Sequence, residues 1–169
     1  MPLPSVSHFH ELFRIDPETG WLLRRTPWIT NGGLREAEGA RAGSVRGKYR
    51  CVRVDGKNYS EHRVIFAMTH GYWPMPYCDH INGDPSDSRP CNLREATNSQ
   101  NQFNSRTKSN NKLGAKGVRE YKPGRFRAHI KQDGKERHLG VFSTAECASA
   151  AYKEAAKALH GDFYFQART

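Results

Sequence analysis

Apolar positions along this chain recur first at helical spacing, then at alternating spacing, with one long stretch that has no period at all. Between His8 and Arg14, Phe9, Leu12 and Phe13 predict a helical turn, and Asp16-Pro17-Glu18-Thr19-Gly20 is a turn leading into a strand at Trp21-Leu22-Leu23. Residues 26–47 hold Gly32, Gly33, Gly39, Gly43 and Gly47 with Arg35, Arg41 and Arg46 and lack periodicity. They predict a ribbon or a loop, either plain surface or ordered by a partner. Tyr49 to Val54 and Lys57 to Ser60 flank Asp55-Gly56, a pair that tolerates positive φ at both turn positions, and so predict a hairpin. Glu61 to His70 follows as a short amphipathic helix with Ile65, Phe66, Met68 and Thr69 partly inward. Gly71 and Pro74 supply its exit signals.

The last third has its own pattern. Segments 116–119, 124–130 and 137–142 read as three strands, with Gln132-Asp133-Gly134-Lys135 as the turn between the second and third. Ser143 or Thr144 caps a long helix, with Glu146 placed to close a capping box. Cys147, Ala148, Ala151, Tyr152, Ala155 and Leu159 recur along it at helical spacing, and Gly161 ends it. In the second strand Phe126, Ala128 and Ile130 alternate with Arg125, Arg127, His129 and Lys131, so one face is expected on the helix and the other basic and open to solvent.

Charge separates the two regions. Residues 1–105 carry thirteen Lys/Arg against eleven Asp/Glu, while residues 106–169 carry fourteen against six, so +8 of the total +10 lies in the last third. With a sequence pI of about 9.7, the expected partner is a polyanion, and nucleic acid is the commonest. The polar segment Thr107 to Gly114, with Lys108 and Lys112, is expected to be a flexible linker. No window approaches the roughly 18 apolar residues of a membrane span. Met1-Pro2-Leu3-Pro4-Ser5 lacks the charged head and apolar core of a secretory signal, so a cytoplasmic location is expected. Cys51, Cys78, Cys91 and Cys147 form no paired framework and read as free thiols. A structural zinc between Cys78 and Cys91 is disfavoured by the lack of Cys-x-x-Cys spacing.

The richest chemistry lies in Cys78-Asp79-His80-Ile81-Asn82-Gly83-Asp84, then Asn92-Leu93-Arg94 and Asn98-Ser99-Gln100-Asn101. Hydrolysing a phosphodiester needs a base for the attacking water and a centre that stabilises charge on the leaving oxygen. A neutral His suits the first task, which makes His80 the candidate base. A divalent ion held by hard oxygen ligands suits the second, and Asp79 with the amide oxygen of Asn101 offers only oxygen, favouring one Mg²⁺ or Mn²⁺. Asn98 and Asn104 share a helix face with Asn101 and are alternatives to it. His62, next to Arg63 on the preceding helix, reads as a packed scaffold residue.

These residues, in the setting His62-Arg63, Asp79-His80, Asn92-Leu93-Arg94 and Asn101, resemble the HNH endonucleases of phages and mobile introns over roughly residues 45–105. The resemblance implies a ββα-metal fold, with strands at about Tyr77–His80 and Leu93–Thr97 and a helix at about Asn98–Ser105. It implies catalytic His80 and Asn92, the latter bridging the loop and holding the His in register, with Asp79 and Asn101 on the metal. Asn101 stands where the motif's last letter calls for His, a replacement also found in phage members.

Residues 115–165 are similar to the DNA-binding domain of plant ethylene-response factors, also of the APETALA type, through Gly117-Val118-Arg119, Leu139-Gly140-Val141-Phe142, Thr144-Ala145-Glu146 and Ala150-Ala151-Tyr152. The plant domain's tryptophans are absent here. That similarity implies duplex DNA contacts from Arg119, Tyr121, Arg125, Arg127, His129, Lys131 and Arg137 on the sheet. The expected chain is therefore α+β. A nuclease domain over 1–105, with its motif core at 61–105, precedes a linker at 106–115 and a three-stranded antiparallel sheet packed on one helix at 116–169. The implied function is a metal-dependent, homing-type DNA endonuclease that nicks as a monomer, a double-strand break needing a DNA-induced dimer or two sequential events. A DNA-binding regulator with an inactive nuclease domain, and a nuclease directed by RNA or by junction structure, are the competing readings.

Overall fold

Ser5 opens the first helix, α1 (Val6–Leu12), by accepting the His8 N–H on its hydroxyl at 3.4 Å. Phe9 on that helix and Phe13 just after it are buried. Phe13 begins β1 (Phe13–Ile15), which pairs antiparallel with β2 (Leu22–Arg24), so the first apolar cluster spans a helix and a hairpin. The computed structural model describes residues 3–104, 111, 113–132 and 134–163. The chain divides into two compact units, Met1–Thr97 and Asn98–Thr169, the division falling after Thr97. The architecture is mixed α and β, built from small antiparallel sheets and short helices.

In the first unit, the stretch without period is a ribbon. β3 (Trp28–Thr30) pairs with β4 (Gly33–Glu36) around the Asn31-Gly32 tip. Its base is tied down by Arg24, which is buried beneath the ring faces of Phe13 and Trp28 and donates from Nε to Glu36 at 2.6 Å. A charge buried this far is tolerated only when paired, which accounts for Glu36 on β4 beside it. β5 (Ser44–Arg46), β6 (Tyr49–Val54) and β7 (Lys57–Ser60) form a meander. Asp55 and Gly56 both have positive φ in the β6–β7 turn, as the residue pair predicts.

The next helix, α2 (Glu61–His70), ends at Gly71 in the left-handed conformation. Its buried residues run from Glu61 and His62 through Val64 to Met68, a wider buried face than the sequence pattern suggests. Glu61 explains the first of these. Its carboxylate accepts from Arg41 at 3.1 Å and from the Leu22 N–H at 3.4 Å, joining α2 to the first hairpin. Val52, Val54, Val64, Ile65 and Phe66 meet Phe9, Phe13 and Leu22 in one core, with Cys78 and Leu93 at its edge. Those last two belong to β8 (Tyr77–His80) and β9 (Leu93–Ala96), an antiparallel pair that packs on α2.

The second unit begins with α3 (Asn98–Asn104), which contacts the long helix and the 3₁₀ turn Gly161–Phe163. β10 (Val118–Lys122), β11 (Arg125–Gln132) and β12 (Lys135–Phe142) form a three-stranded antiparallel sheet in chain order. That sheet packs on α4 (Ala145–His160), whose Thr144 cap accepts the Cys147 N–H at 3.2 Å. Val118, Ala128 and Ala148 form one buried cluster, and Ile130, Tyr152 and Ala156 another. Small residues bring helix and sheet together at Gly117, where a Cβ would stand 2.3 Å from the His129 carbonyl and from the Tyr152 ring. Residues 106–110 and 112 of the expected linker, Lys108 and Lys112 among them, lie outside the described residues, as does Asp133.

Candidate active site

The β8–β9 pair sets the site by register. His80 faces Leu93 across the pair, Asp79 faces Arg94, and Cys78 faces Glu95. Successive residues of a strand point to opposite sides, so Asp79 and His80 emerge in different directions from adjacent positions. Both are buried, with about 5% and 6% of their surface exposed. Arg94 donates from Nε to Asp79 Oδ2 at 3.1 Å, and its Nη2 lies 3.0 Å from the same oxygen. The pair is a charge-assisted hydrogen bond between facing strands, which compensates the burial of both groups.

Asn92 organises the connection between the two strands. Its Oδ1 accepts the Asn82 N–H at 3.0 Å, and its Nδ2 donates to Asn82 Oδ1 at 3.0 Å and to the Asp87 carbonyl at 2.7 Å. Its carbonyl accepts the Ile81 N–H at 2.8 Å. Within the loop, Asn82 donates to the Asp87 carboxylate at 2.9 Å, and Arg89 clasps that carboxylate with two bonds of 2.8 Å. The Arg89 guanidinium lowers the Asp87 carboxyl below the ordinary carboxylate range. The loop also abuts Gly20, whose φ is +70° and where a Cβ would lie 2.5 Å from the Arg89 Cα. Backbone and side chain therefore converge on the segment directly after His80.

Around His80 stand two rings from distant parts of the chain. The His62 ring lies 4.8 Å from it centroid to centroid, and the Tyr49 ring is stacked at 6.2 Å with an interplanar angle of 11°. Tyr49 and His62 are themselves 4.9 Å apart. Burial lowers the His80 pKa, against an upward pull from Asp79, Asp84 and Asp87. Burial pushes His62 down to about 3, with His80 and Arg63 adding to the effect. Both imidazoles are thus neutral at pH 7, the state in which one can accept a proton. Burial likewise pushes the Cys78 thiol up to about 12, so it is an inert packing group.

Of the residues expected at the site, Asp79, His80 and Asn92 come together in the first unit. Asn101 stands on α3 in the second, half-buried, with Asn98 exposed and Asn104 buried on the same helix. His62, which the sequence suggests only as scaffold, and Tyr49, which carries no motif, complete the surroundings of His80. Among the described residues no group of three or more His, Cys, Asp or Glu side chains converges on a point.

In the second unit the basic strand departs from simple alternation. Arg127 is half-buried, its guanidinium 4.7 Å from the centre of the Tyr121 ring, and His129 is half-buried as well. A register shift between Ala128 and His129 brings His129 opposite His138. Arg125, Lys131 and Arg137 are exposed, and Arg119 reaches Glu136 at 3.8 Å. The expected open basic face is therefore partly covered at Arg127 and His129. No described helix is long and apolar enough to cross a membrane.

Comparison with known proteins bears on the first site. The HNH endonuclease family model matches residues 59–103. An uncharacterized HNH endonuclease of Acanthamoeba polyphaga mimivirus is 34% identical over 104 residues, covering 60% of this chain and 54% of the relative. The chain thus spans about half the length of the curated relative it matches. The family match begins just before His62 and ends just after Asn101, and supports reading residues 59–103 as an HNH endonuclease domain.

Proposed function

We propose that the chain is a metal-dependent HNH DNA endonuclease of the homing type, with its nuclease part at residues 1–105 and its DNA-recognition part at 116–169. The observation that carries this reading is the β8–β9 pair. It holds a buried, neutral His80 beside Asp79, which is paired with Arg94, with Asn92 stitching the intervening loop, inside the segment matched by the HNH endonuclease family. In this reading His80 takes a proton from the attacking water. Asn92 keeps the loop, and with it the His80 backbone, in place. His62 and Tyr49 pack the imidazole from the side, fixing its plane.

The donor chemistry fits a divalent ion. Asp79 already accepts a cationic group, and by the family resemblance Asn101 is the residue that would add an amide oxygen. When bound, Mg²⁺ or Mn²⁺ would stabilise negative charge on the leaving 3′ oxygen. So small a set of protein ligands suits ions that keep several waters. The basic sheet of the second unit, similar to the ethylene-response-factor domain, supports duplex binding through Arg119, Tyr121, Arg125, Arg127, His129, Lys131 and Arg137. One site per chain would nick as a monomer, with a DNA-induced dimer or two sequential events for a double-strand break, in the cytoplasm of a bacterium or an infected host.

Nicking of supercoiled DNA bearing the gene's flanking sequence tests this reading. Metal-dependent nicking by the wild type is expected. Tight, salt-sensitive binding without cleavage in any metal would instead favour a regulator with an inactive nuclease domain.

A further inference from the structure

The ribbon of the first unit borders a cleft of about 650 Å³ lined by Trp28, Thr30, Arg35, Arg53, Asp55 and Gly56. We propose that this cleft is a second DNA-backbone site, in which Arg35 and Arg53 hold a phosphate of the strand that reaches His80. The inference rests on the DNA endonuclease reading above.

Both guanidiniums are exposed, and among the described residues neither has a carboxylate within salt-bridge distance. Arg35 spends one nitrogen, donating from Nε to the Thr30 hydroxyl at 3.3 Å, which fixes its plane. It lies against the bare backbone at Gly32, where a Cβ would stand 3.1 Å from Nη2. In the same unit Arg24, Arg41, Arg89 and Arg94 are paired with Glu36, Glu61, Asp87 and Asp79, whereas the arginines of the cleft keep their charge open to solvent. Two guanidinium forks lining one concavity without a carboxylate partner suit a phosphate, which accepts paired N–H bonds. The carboxylate that shares the cleft, Asp55, is engaged by His8 Nε2 at 3.1 Å.

The position relative to His80 fits the same substrate. Arg53 and Tyr49 lie on one strand, β6, and Tyr49 stacks on His80. Four residues of strand span about 13 Å, or about four nucleotide rises of 3.4 Å. On the ribbon, Ile29 and Leu34 face each other across β3 and β4 and are 65% and 61% exposed, an apolar surface that the fold itself does not use. Sugar edges of a duplex would cover it while phosphates meet the arginines.

The test uses full-length protein and a fluorescein-labelled duplex from the gene's flanking region, with binding followed by anisotropy between 50 and 200 mM KCl (on the order of the range over which such contacts are resolved). Arg35→Ala/Arg53→Ala should bind more weakly, and the slope of log K against log salt should become shallower by about 0.9 for one phosphate lost. The wild-type advantage would then shrink about 3.5-fold across that salt range. Asp55→Asn, which keeps a residue tolerant of the turn's positive φ, should bind more tightly. A wild type that binds the duplex, with the double variant unchanged in slope and Asp55→Asn unchanged in affinity, would overturn the inference alone. A wild type that neither binds nor nicks duplex DNA would overturn the endonuclease reading and the inference with it.

Discussion

The His62 and His80 rings lie 4.8 Å apart, although seventeen residues, most of α2 among them, separate the two in the chain. His62 is buried and pushed down to about 3, so it stays neutral throughout the range in which His80 would exchange a proton. Its contribution is therefore a wall against the His80 ring, not a second charge. His62→Ala should lower the nicking rate at saturating DNA by tenfold or more, about 1.4 kcal/mol, with duplex affinity nearly unchanged. His62→Phe should restore most of the rate, and single-turnover nicking would show it. A Phe variant as slow as Ala would mean that the imidazole nitrogens matter.

The same residue makes stability depend on pH. In the unfolded chain His62 binds a proton below about 6.5, whereas in the folded protein burial prevents this until about 3. A depressed folded pKa gives stability that is complete above the unfolded value and is lost as pH falls through the window between them. Thermal melts should show Tm declining below about pH 6.5, and His62→Phe should decline less steeply over that window.

Asn92 joins Asn82, Asp87 and the Ile81 backbone, so removing its amide breaks three side-chain bonds at once. Asn92→Ala should cost about 1–3 kcal/mol in urea unfolding, the usual penalty for stranded buried partners, and should slow nicking even where the protein remains folded. Asn92→Asp would keep the acceptor to the Asn82 N–H while placing negative charge on the Asp87 carbonyl, and is expected to recover little.

Arg94 and Asp79 form a buried cross-strand pair, their side chains 14% and 6% exposed. Arg94→Met should destabilise the first unit by up to about 3 kcal/mol, because a buried carboxylate loses its guanidinium. If Asp79 is a metal ligand, Mn²⁺ should raise the Tm of this variant more than that of the wild type, and chelator should remove the gain. Equal Tm with and without the ion would argue against Asp79 as a ligand.

Much of this was legible in local chemistry. Asp55-Gly56 marks its hairpin because few pairs accept two positive φ values, and Gly71 marks the end of α2 for the same reason. The strands that carry His80 and Leu93 follow from the family resemblance, since Tyr77–His80 and Leu93–Ala96 contain no apolar run. What sequence reading missed depends on distance along the chain. Tyr49 reaches His80 across a strand and a helix, and nothing near either residue announces the contact. Arg94 opposite Asp79 follows only from a register in which His80 faces Leu93. The ribbon at 28–36 lacked apolar period because its anchors are ionic, Arg24 with Glu36, and its one cross-strand apolar pair faces solvent. In the second unit, alternation places Ala128 and Ile130 correctly in the core, but a register shift and the Tyr121 ring cover Arg127 and His129 more than a regular strand would.

The most direct measurement compares wild type with His80→Ala on supercoiled DNA carrying the gene's own flanking region, in Mg²⁺, in Mn²⁺ and with chelator, while anisotropy records binding. The account predicts nicking that needs metal and falls by far more than tenfold in His80→Ala, with duplex affinity preserved. Cleavage by His80→Ala within about tenfold of wild type, a barrier change of only about 1.4 kcal/mol, would contradict His80 as the base.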